Sequence, residues 1–175
     1  MIIRQNLDAS RLAHFSKCGF YRYALIIHWD DTKPLMANIG LNPSTATHEI
    51  NDPTIHRDIT RAAANGFGSF LKLNLFAFRS PSPKVMMVAA DPYGEWVSVD
   101  SLLDFIESYR ASMVIAAWGN HGSHRGRSEA FRCAAKARGM ALHKYALNLG
   151  GEPVHPLYLS YSIQPSVYEF DEVSA

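Results

Sequence analysis

The chain has 175 residues, of which 47% are hydrophobic and 19% charged, so we expect a single globular α/β domain over residues 1–175. Its net charge of +1 argues against a protein held on duplex nucleic acid by charge alone, because such domains are usually clearly basic. No apolar run approaches the roughly 20 residues needed to cross a bilayer, and the chain does not start with a secretory signal pattern. We therefore expect a cytoplasmic protein without membrane contacts.

The first predicted elements are two strands. Residues 20–29 are rich in aromatic and β-branched side chains, which favour strands. A turn at residues 30–34 separates them from a second strand at 35–41. The short connection predicts that the two strands form an antiparallel hairpin.

Helices and further strands alternate after this pair. Asp52 is placed to cap a helix over residues 53–65, with Pro53 in its first turn. Residues 112–119 are an uninterrupted apolar run ending in glycine, which is typical of a strand covered on both faces. The remaining predicted elements are a strand at 69–78, helices at 83–90, 99–110 and 126–138, and a strand at 141–147.

This alternation predicts a three-layer α/β/α sandwich with a mostly parallel central sheet. Ligands of open α/β sheets bind beyond the carboxyl ends of the strands. Polar or glycine-rich segments follow four of the predicted strands, so we expect a site where they converge. These segments are Asn42-Pro43-Ser44-Thr45, Asn74 with Arg79-Ser80-Pro81, Trp118-Gly119-Asn120-His121, and the loop that reaches His155-Pro156.

Three polar residues near these strand ends have two interpretations each. The Asn42 amide could orient a water or a base edge, or could form a turn as the chain leaves the strand. Asp52 could act as a general base or simply cap the following helix. Asn74 lies in an apolar strand and needs partners if buried, which a ligand or a neighbouring loop could supply.

Metal and cofactor chemistry is not indicated. His48 with His56 and Asp58, or His121 with His124, could supply metal ligands, but neither set has a recognised ligand spacing. No phosphate-binding glycine loop of the two common types occurs. We therefore expect no metal and no cofactor.

Five basic residues fall within a short stretch and need a separate interpretation. They form either a local patch for an anionic partner or the solvated face of a helix. The residues are Arg125, Arg127, Arg132, Lys136 and Arg138.

Several motifs, in order, resemble a family of bacterial and phage proteins described as a conserved domain of unknown function. They are "YRYALIIHW", "LNPSTA", "DPTIHR", "NLFAFRSPSP", "DPYG" and "AAWGNHG", and they cover nearly the whole chain. The chain departs from the family pattern at residues 95–97, where an asparagine-containing segment is expected. This resemblance implies relatives but no particular activity.

A more remote resemblance connects four segments with the uracil-DNA glycosylase superfamily. "GLNPS", "FLKLNLFAFRSP", "VIAAWG" and "HPLYLS" are similar to its motifs in order and character. The resemblance implies that superfamily's fold, a water-orienting role for Asn42, a base-reading role for Asn74, and a role for His155 in stabilising the departing base. Leu159 would then enter the base stack. Leu157 and Tyr158 depart from the last motif, and no iron–sulfur cysteines are present.

Three functions remain open at this point. The first is hydrolysis of the N-glycosidic bond of a uracil-like or modified base in single-stranded or flipped-base DNA. The second is chemistry on a free or modified nucleotide, and the third is non-catalytic binding of a nucleotide or nucleic acid. The oligomeric state is open. The candidate catalytic residues are Asn42, His155 and Asp52, and the candidate substrate-binding residues are Pro43, Ser44, Asn74, Arg79, Trp118, Gly119, Asn120 and Leu159.

Overall fold

A computed structural model describes residues 1–44, 46–47 and 49–169. Among these residues, eight strands form one sheet in the order β1-β2-β3-β5-β4-β6-β7-β8. The strands are β1 (Ile2–Gln5), β2 (Arg11–Phe15), β3 (Arg22–His28), β4 (Leu35–Gly40), β5 (Ser69–Asn74), β6 (Met113–Ala116), β7 (Leu142–Lys144) and β8 (Ser166–Val167). The four α-helices are α1 (Pro53–Ala64), α2 (Pro83–Val88), α3 (Asp100–Ser108) and α4 (Arg127–Ala137).

The sheet is mixed, and the prediction of a mostly parallel central sheet in a three-layer sandwich is wrong. Four of its strand pairs are antiparallel: β1/β2, β2/β3, β3/β5 and β7/β8. The pairs β4/β5, β4/β6 and β6/β7 are parallel. Helices lie between the strands only from β4 onward, so only there does the alternation of helices and strands indicate parallel pairing. The strands before β4 are joined by turns, which are too short for the crossover that a parallel pair needs.

The predicted hairpin between residues 20–29 and 35–41 is also wrong. β5 lies between β3 and β4, antiparallel to the first and parallel to the second. All six residues of β5 are buried, as expected for a strand with a partner on each side. The backbone of Gly68, just before β5, accepts from the Trp29 and Asp30 amides, and a Cβ there would collide with the Asp30 carbonyl oxygen.

Two hydrophobic clusters form the core. Strand side chains alternate between the two faces, so that Ile26 and Leu71 belong to one cluster while Leu25 and Phe70 belong to the other. The first cluster includes residues of α3 and α4, and the second includes residues of α1. The four predicted helices are confirmed, within a few residues at their ends. In the part of the chain that the structure describes, no helix combines the length and apolarity needed to cross a bilayer.

Candidate functional site

A cavity of about 610 Å³ opens where β4, β5 and the segment after β6 end, beside the first turn of α1. It brings together many of the residues predicted from the sequence, although they are far apart along the chain. The candidate catalytic and substrate-binding residues that line it are Asn42, Ser44, Asp52, Asn74, Trp118, Gly119, Asn120 and His155, and Ser80, Pro81 and His121 of the predicted segments line it as well. Thr45 was predicted with them but lies outside the described residues.

Three predicted residues do not line the cavity. Pro43 is buried, and its carbonyl oxygen accepts from the Ser80 amide at 2.8 Å. Arg79 donates to the Gly19 carbonyl oxygen at 3.0 Å and lies over the Phe15 ring. Leu159 packs against the core cluster that includes α1. Its side chain is partly buried.

Asn42 uses its amide nitrogen to hold a neighbouring loop. The Nδ2 group donates to the Ser80 carbonyl oxygen at 2.8 Å and to the Pro43 carbonyl oxygen at 3.2 Å. These bonds use the amide nitrogen, so the amide oxygen is the acceptor that remains for another partner. Asn42 therefore has a structural role and can also orient a water.

Asp52 caps α1 and also lines the cavity. Its backbone is extended, and its Oδ1 accepts from the Ile55 amide at 2.9 Å. The second carboxylate oxygen is not needed for the cap. Both interpretations of Asp52, helix cap and general base, are thus compatible with one geometry.

Asn74 forms part of the cavity floor at the end of β5 and is 4% exposed. Its Nδ2 is buried and has no partner among the described residues. A Cβ at Gly40, which lies opposite Asn74 on β4, would come within 2.7 Å of the Asn74 Oδ1. The Asn74 amide can take this position because residue 40 is glycine. Its buried nitrogen is a donor for which a ligand can supply the acceptor.

Lys72 is a site residue that the sequence analysis missed. It is 4% exposed and lines the cavity, and its ammonium donates to Asp58 Oδ2 at 2.9 Å and to Asn38 Oδ1. Burial raises the pKa of Asp58, while the Lys72 charge opposes that rise. The signal for Lys72 was its spacing from Asn74, because residues two apart in a strand point to the same face.

Arg22 is a second residue that the sequence analysis missed. It is 2% exposed, lines the cavity and donates to the Ala46 carbonyl oxygen at 2.6 Å. Burial lowers the pKa of its guanidinium to about 10, with Asp52 acting in the opposite direction. Within the described ranges it forms no ion pair, so the cavity wall carries an unneutralised buried cation.

His155 faces the cavity as a neutral side chain. Burial and, after it, the Lys72 charge lower its pKa to about 4, while the Asp52 charge acts in the opposite direction. The Nδ1 atom accepts from the Leu157 amide at 3.3 Å. A neutral imidazole that accepts at Nδ1 carries its hydrogen on Nε2, which makes His155 a hydrogen-bond donor at neutral pH.

Trp118 and Gly119 shape the cavity wall. The Trp118 indole is 1% exposed and donates to Glu152 Oε2, and the Ser128 hydroxyl donates to Glu152 Oε1 at 2.7 Å. The indole donor is thus already used within the chain. Gly119 has φ of 71° and ψ of −176°, a backbone conformation open only to glycine.

The basic residues at 125–138 bind the chain itself. Arg127 is buried and donates to three carbonyl oxygens, and Arg138 pairs with three carboxylates of α3. Arg132 donates to the Tyr168 hydroxyl, and Arg125 donates to the Ala89 carbonyl oxygen. Hydrogen bonds and ion pairs within the chain therefore engage much of this basic cluster. The sequence allowed two interpretations of it, a patch for an anionic partner and the solvated face of a helix.

Within the described residues, no group of three or more candidate metal ligands occurs. Asp58 is paired with Lys72, and His56 is exposed on α1. His48 lies outside the described residues.

Comparison with known proteins identifies a family but no activity. No curated protein and no solved structure matches the chain, and nothing links it to the uracil-DNA glycosylase superfamily. One family model, DUF1643, described as a protein of unknown function, matches residues 22–157. That range includes every residue that lines the cavity except Tyr158. Because the match covers most of the chain, the protein belongs to the DUF1643 family.

Proposed function

We propose that the cavity binds a free nucleotide and hydrolyses its N-glycosidic bond. One observation carries the proposal: a cavity of about 610 Å³ presents both an unneutralised buried guanidinium, Arg22, and a buried unpartnered amide, Asn74. A nucleotide offers a complementary partner for each group, because its phosphate is an anion and its base carries amide-like edges. The volume lies within the range of roughly 300–1,000 Å³ usual for small-molecule sites.

The first turn of α1 adds a second anion-binding element. Pro53, Thr54 and Ile55 line the cavity, and the Ile55 amide is already bonded to Asp52. The positive end of a helix dipole favours an anion placed at its N-terminus. A phosphate near Arg22 would therefore be stabilised by the side chain and by the helix.

A free nucleotide is favoured over a polymer for three reasons. Arg127 and Arg138 make internal bonds, so these residues are not free to contact phosphates along a strand. Leu159, the proposed wedge, packs against the core. Binding to duplex DNA depends on several phosphate contacts, and the net charge of +1 provides little general attraction.

The cavity also has groups suited to hydrolysis. Asp52 would accept a proton from water whose oxygen attacks the sugar carbon, with Asn42 orienting that water through its amide oxygen. The bond from that carbon to the base nitrogen then breaks, and its electron pair leaves with the base. The His155 Nε2–H would donate a hydrogen bond to the departing base, and a well-placed donor of this type is worth roughly 3–4 kcal/mol in the transition state.

The test combines binding and base release. Calorimetric titration with uridine, cytidine, adenosine, guanosine and inosine 5′-monophosphates should find at least one that binds wild type. Asn74→Ala should bind it at least tenfold more weakly, whereas Gln164→Ala, at an exposed amide, should bind it unchanged. Chromatography of the same mixtures should detect free base, and Asn42→Ala should release it more slowly.

Two outcomes would contradict the proposal in different ways. Binding without base release from any nucleotide would remove the hydrolytic part and leave a binding module. Base release only from uracil-containing or modified oligonucleotides would assign the site to a nucleic-acid substrate.

A further inference from the structure

Below Asn74, three nearly fully buried polar residues form a connected cluster that has no place in the hydrolysis described above. Lys72 is 4% exposed, Asp58 1% and Asn38 0%. Lys72 and Asn38 are cross-strand partners on β5 and β4, and Asp58 comes from α1. The Lys72 ammonium donates to the other two, so neighbouring secondary structure fixes its position.

One donor of this ammonium remains for the cavity. An ammonium group has three N–H donors, and among the residues that the structure describes Lys72 has two acceptors, Asp58 and Asn38. Lys72 lines the cavity despite its low exposure. The third donor is thus available to a group that enters from the cavity.

The Lys72 donor lies close to the unpartnered amide of Asn74. A Cβ at Gly40 would be 3.1 Å from Lys72 Nζ and 2.7 Å from Asn74 Oδ1, so those two atoms lie less than about 6 Å apart. Asn74 Nδ2 has no partner in the described part of the chain. Because buried donors are nearly always hydrogen-bonded, the unpartnered Asn74 nitrogen near the Lys72 ammonium indicates a place for a ligand acceptor.

The local charge indicates which kind of acceptor fits. Asp58 forms a 2.9 Å ion pair with Lys72, which offsets part of the positive charge at the cavity floor. A phosphate would bind better beside Arg22, because the Arg22 guanidinium donates to the neutral carbonyl oxygen of Ala46. The floor therefore suits an uncharged oxygen, such as a ring carbonyl.

We propose that Lys72 is a ligand-binding residue that, together with Asn74, donates to a ring carbonyl oxygen of the nucleobase. Asp58 and Asn38 are positioning residues that hold the ammonium against this oxygen. The inference rests on the proposed nucleotide binding and deepens it, because it restricts the substrate to bases with a ring carbonyl. The ligand would lie with its base on the floor and its phosphate toward Arg22.

The experiment removes the carbonyl from the ligand and the ammonium from the protein. The probes are inosine and purine-riboside 5′-monophosphates, and uridine and 2-pyrimidinone-riboside 5′-monophosphates. Within each pair, the second member lacks a ring carbonyl that the first one has. Wild type should bind inosine or uridine monophosphate at least tenfold more tightly than its deoxo analogue.

The protein variant is Lys72→Met combined with Asp58→Asn, so that no buried carboxylate is left unpaired. In this variant the affinity ratio within each pair should fall to less than about twofold. Lys17→Met, at an exposed lysine, should keep the wild-type ratio, and thermal unfolding checks that all variants are folded.

Three outcomes would overturn the inference. Equal wild-type affinity for both members of each pair overturns it without any variant and leaves nucleotide binding standing. A wild-type ratio that persists in the folded double variant shows that the oxygen is bound elsewhere. Wild type that binds none of the four probes overturns the inference, and the proposed function fails as well if none of the five nucleotides of the first titration binds.

Discussion

Acidification should destabilise the protein through His155. Burial and the Lys72 charge lower the pKa of this imidazole to about 4, compared with roughly 6.5 in an unfolded chain. The unfolded state therefore binds a proton more readily than the folded state does. The contribution to stability is present above pH 6.5 and is lost as the pH falls toward 4.

The size of this effect follows from the two pKa values. Between pH 7 and pH 4.5, linkage of one proton predicts that the free energy of unfolding falls by roughly 2.4 kcal/mol because of His155 alone. Other groups titrate over the same range, so the total change in wild type does not isolate this contribution. A variant that lacks the imidazole provides the required reference.

Urea unfolding of wild type and His155→Gln at both pH values measures the contribution. The wild-type protein should lose roughly 2 kcal/mol more than the variant between pH 7 and pH 4.5. His56→Gln, at an exposed histidine of α1, should match wild type in this difference. Losses that agree within about 0.5 kcal/mol for wild type and His155→Gln would refute the reasoning, because the folded imidazole would then titrate as it does in water.

Three further substitutions test the cavity and its supports. Gly40→Ala should weaken nucleotide binding at least tenfold, because its Cβ would come within 2.7 Å of the Asn74 amide oxygen, whereas Gly150→Ala meets nothing within 4 Å. Asp52→Asn should keep the helix cap and change stability by less than about 0.5 kcal/mol, yet slow base release at least a hundredfold. Glu152→Gln should lower the free energy of unfolding by roughly 1–3 kcal/mol, because the amide nitrogen faces a buried donor.

Calorimetry measures nucleotide binding by Gly40→Ala, chromatography measures base release by Asp52→Asn, and urea unfolding measures the stability of Glu152→Gln. Wild-type affinity in Gly40→Ala would show that Asn74 does not contact the ligand. Wild-type base release by Asp52→Asn would reduce that residue to a helix cap. For the third substitution, Glu129→Gln at an exposed site of α4 is the matched control. An equal change in the free energy of unfolding in both glutamate variants would show that the buried hydrogen bonds of Glu152 do not stabilise the fold.

The residues at strand ends could be predicted from the sequence, whereas the charged residues inside strands could not. Asn42 follows the end of an apolar run, Asn74 is the last residue of β5 within the predicted strand 69–78, and both lie at the cavity. Arg22 is the first residue of β3 and Lys72 lies inside β5, and both are almost fully buried. Charged side chains are rarely buried without partners, and the Lys72 partners come from another strand and a helix that sequence spacing does not bring together.

The error in the sheet has a similar origin. The local sequence pattern locates each strand, but the order of the strands in the sheet depends on which strands form hydrogen bonds with each other. β3 and β4 are neighbours in sequence, yet β5 pairs with both of them. The close approach of Gly68 to Asp30 that allows this order involves residues almost forty positions apart, and no local pattern in the sequence indicates it.

The wrong sheet prediction nevertheless led to a cavity, and the strand directions explain why. A site at one edge requires only that neighbouring strands end there, which holds for any parallel group within a sheet. β5, β4 and β6 form such a group, and the antiparallel strands β1, β2 and β8 lie outside it. Polar groups from three strand ends and the first turn of α1 therefore meet at one place. A ligand there should contact the carboxyl ends of the parallel strands and should not contact β1 or β2. When a nucleotide is added, the backbone amide resonances of Gly40 and Asn74 should therefore shift, and those of residues 11–15 should not.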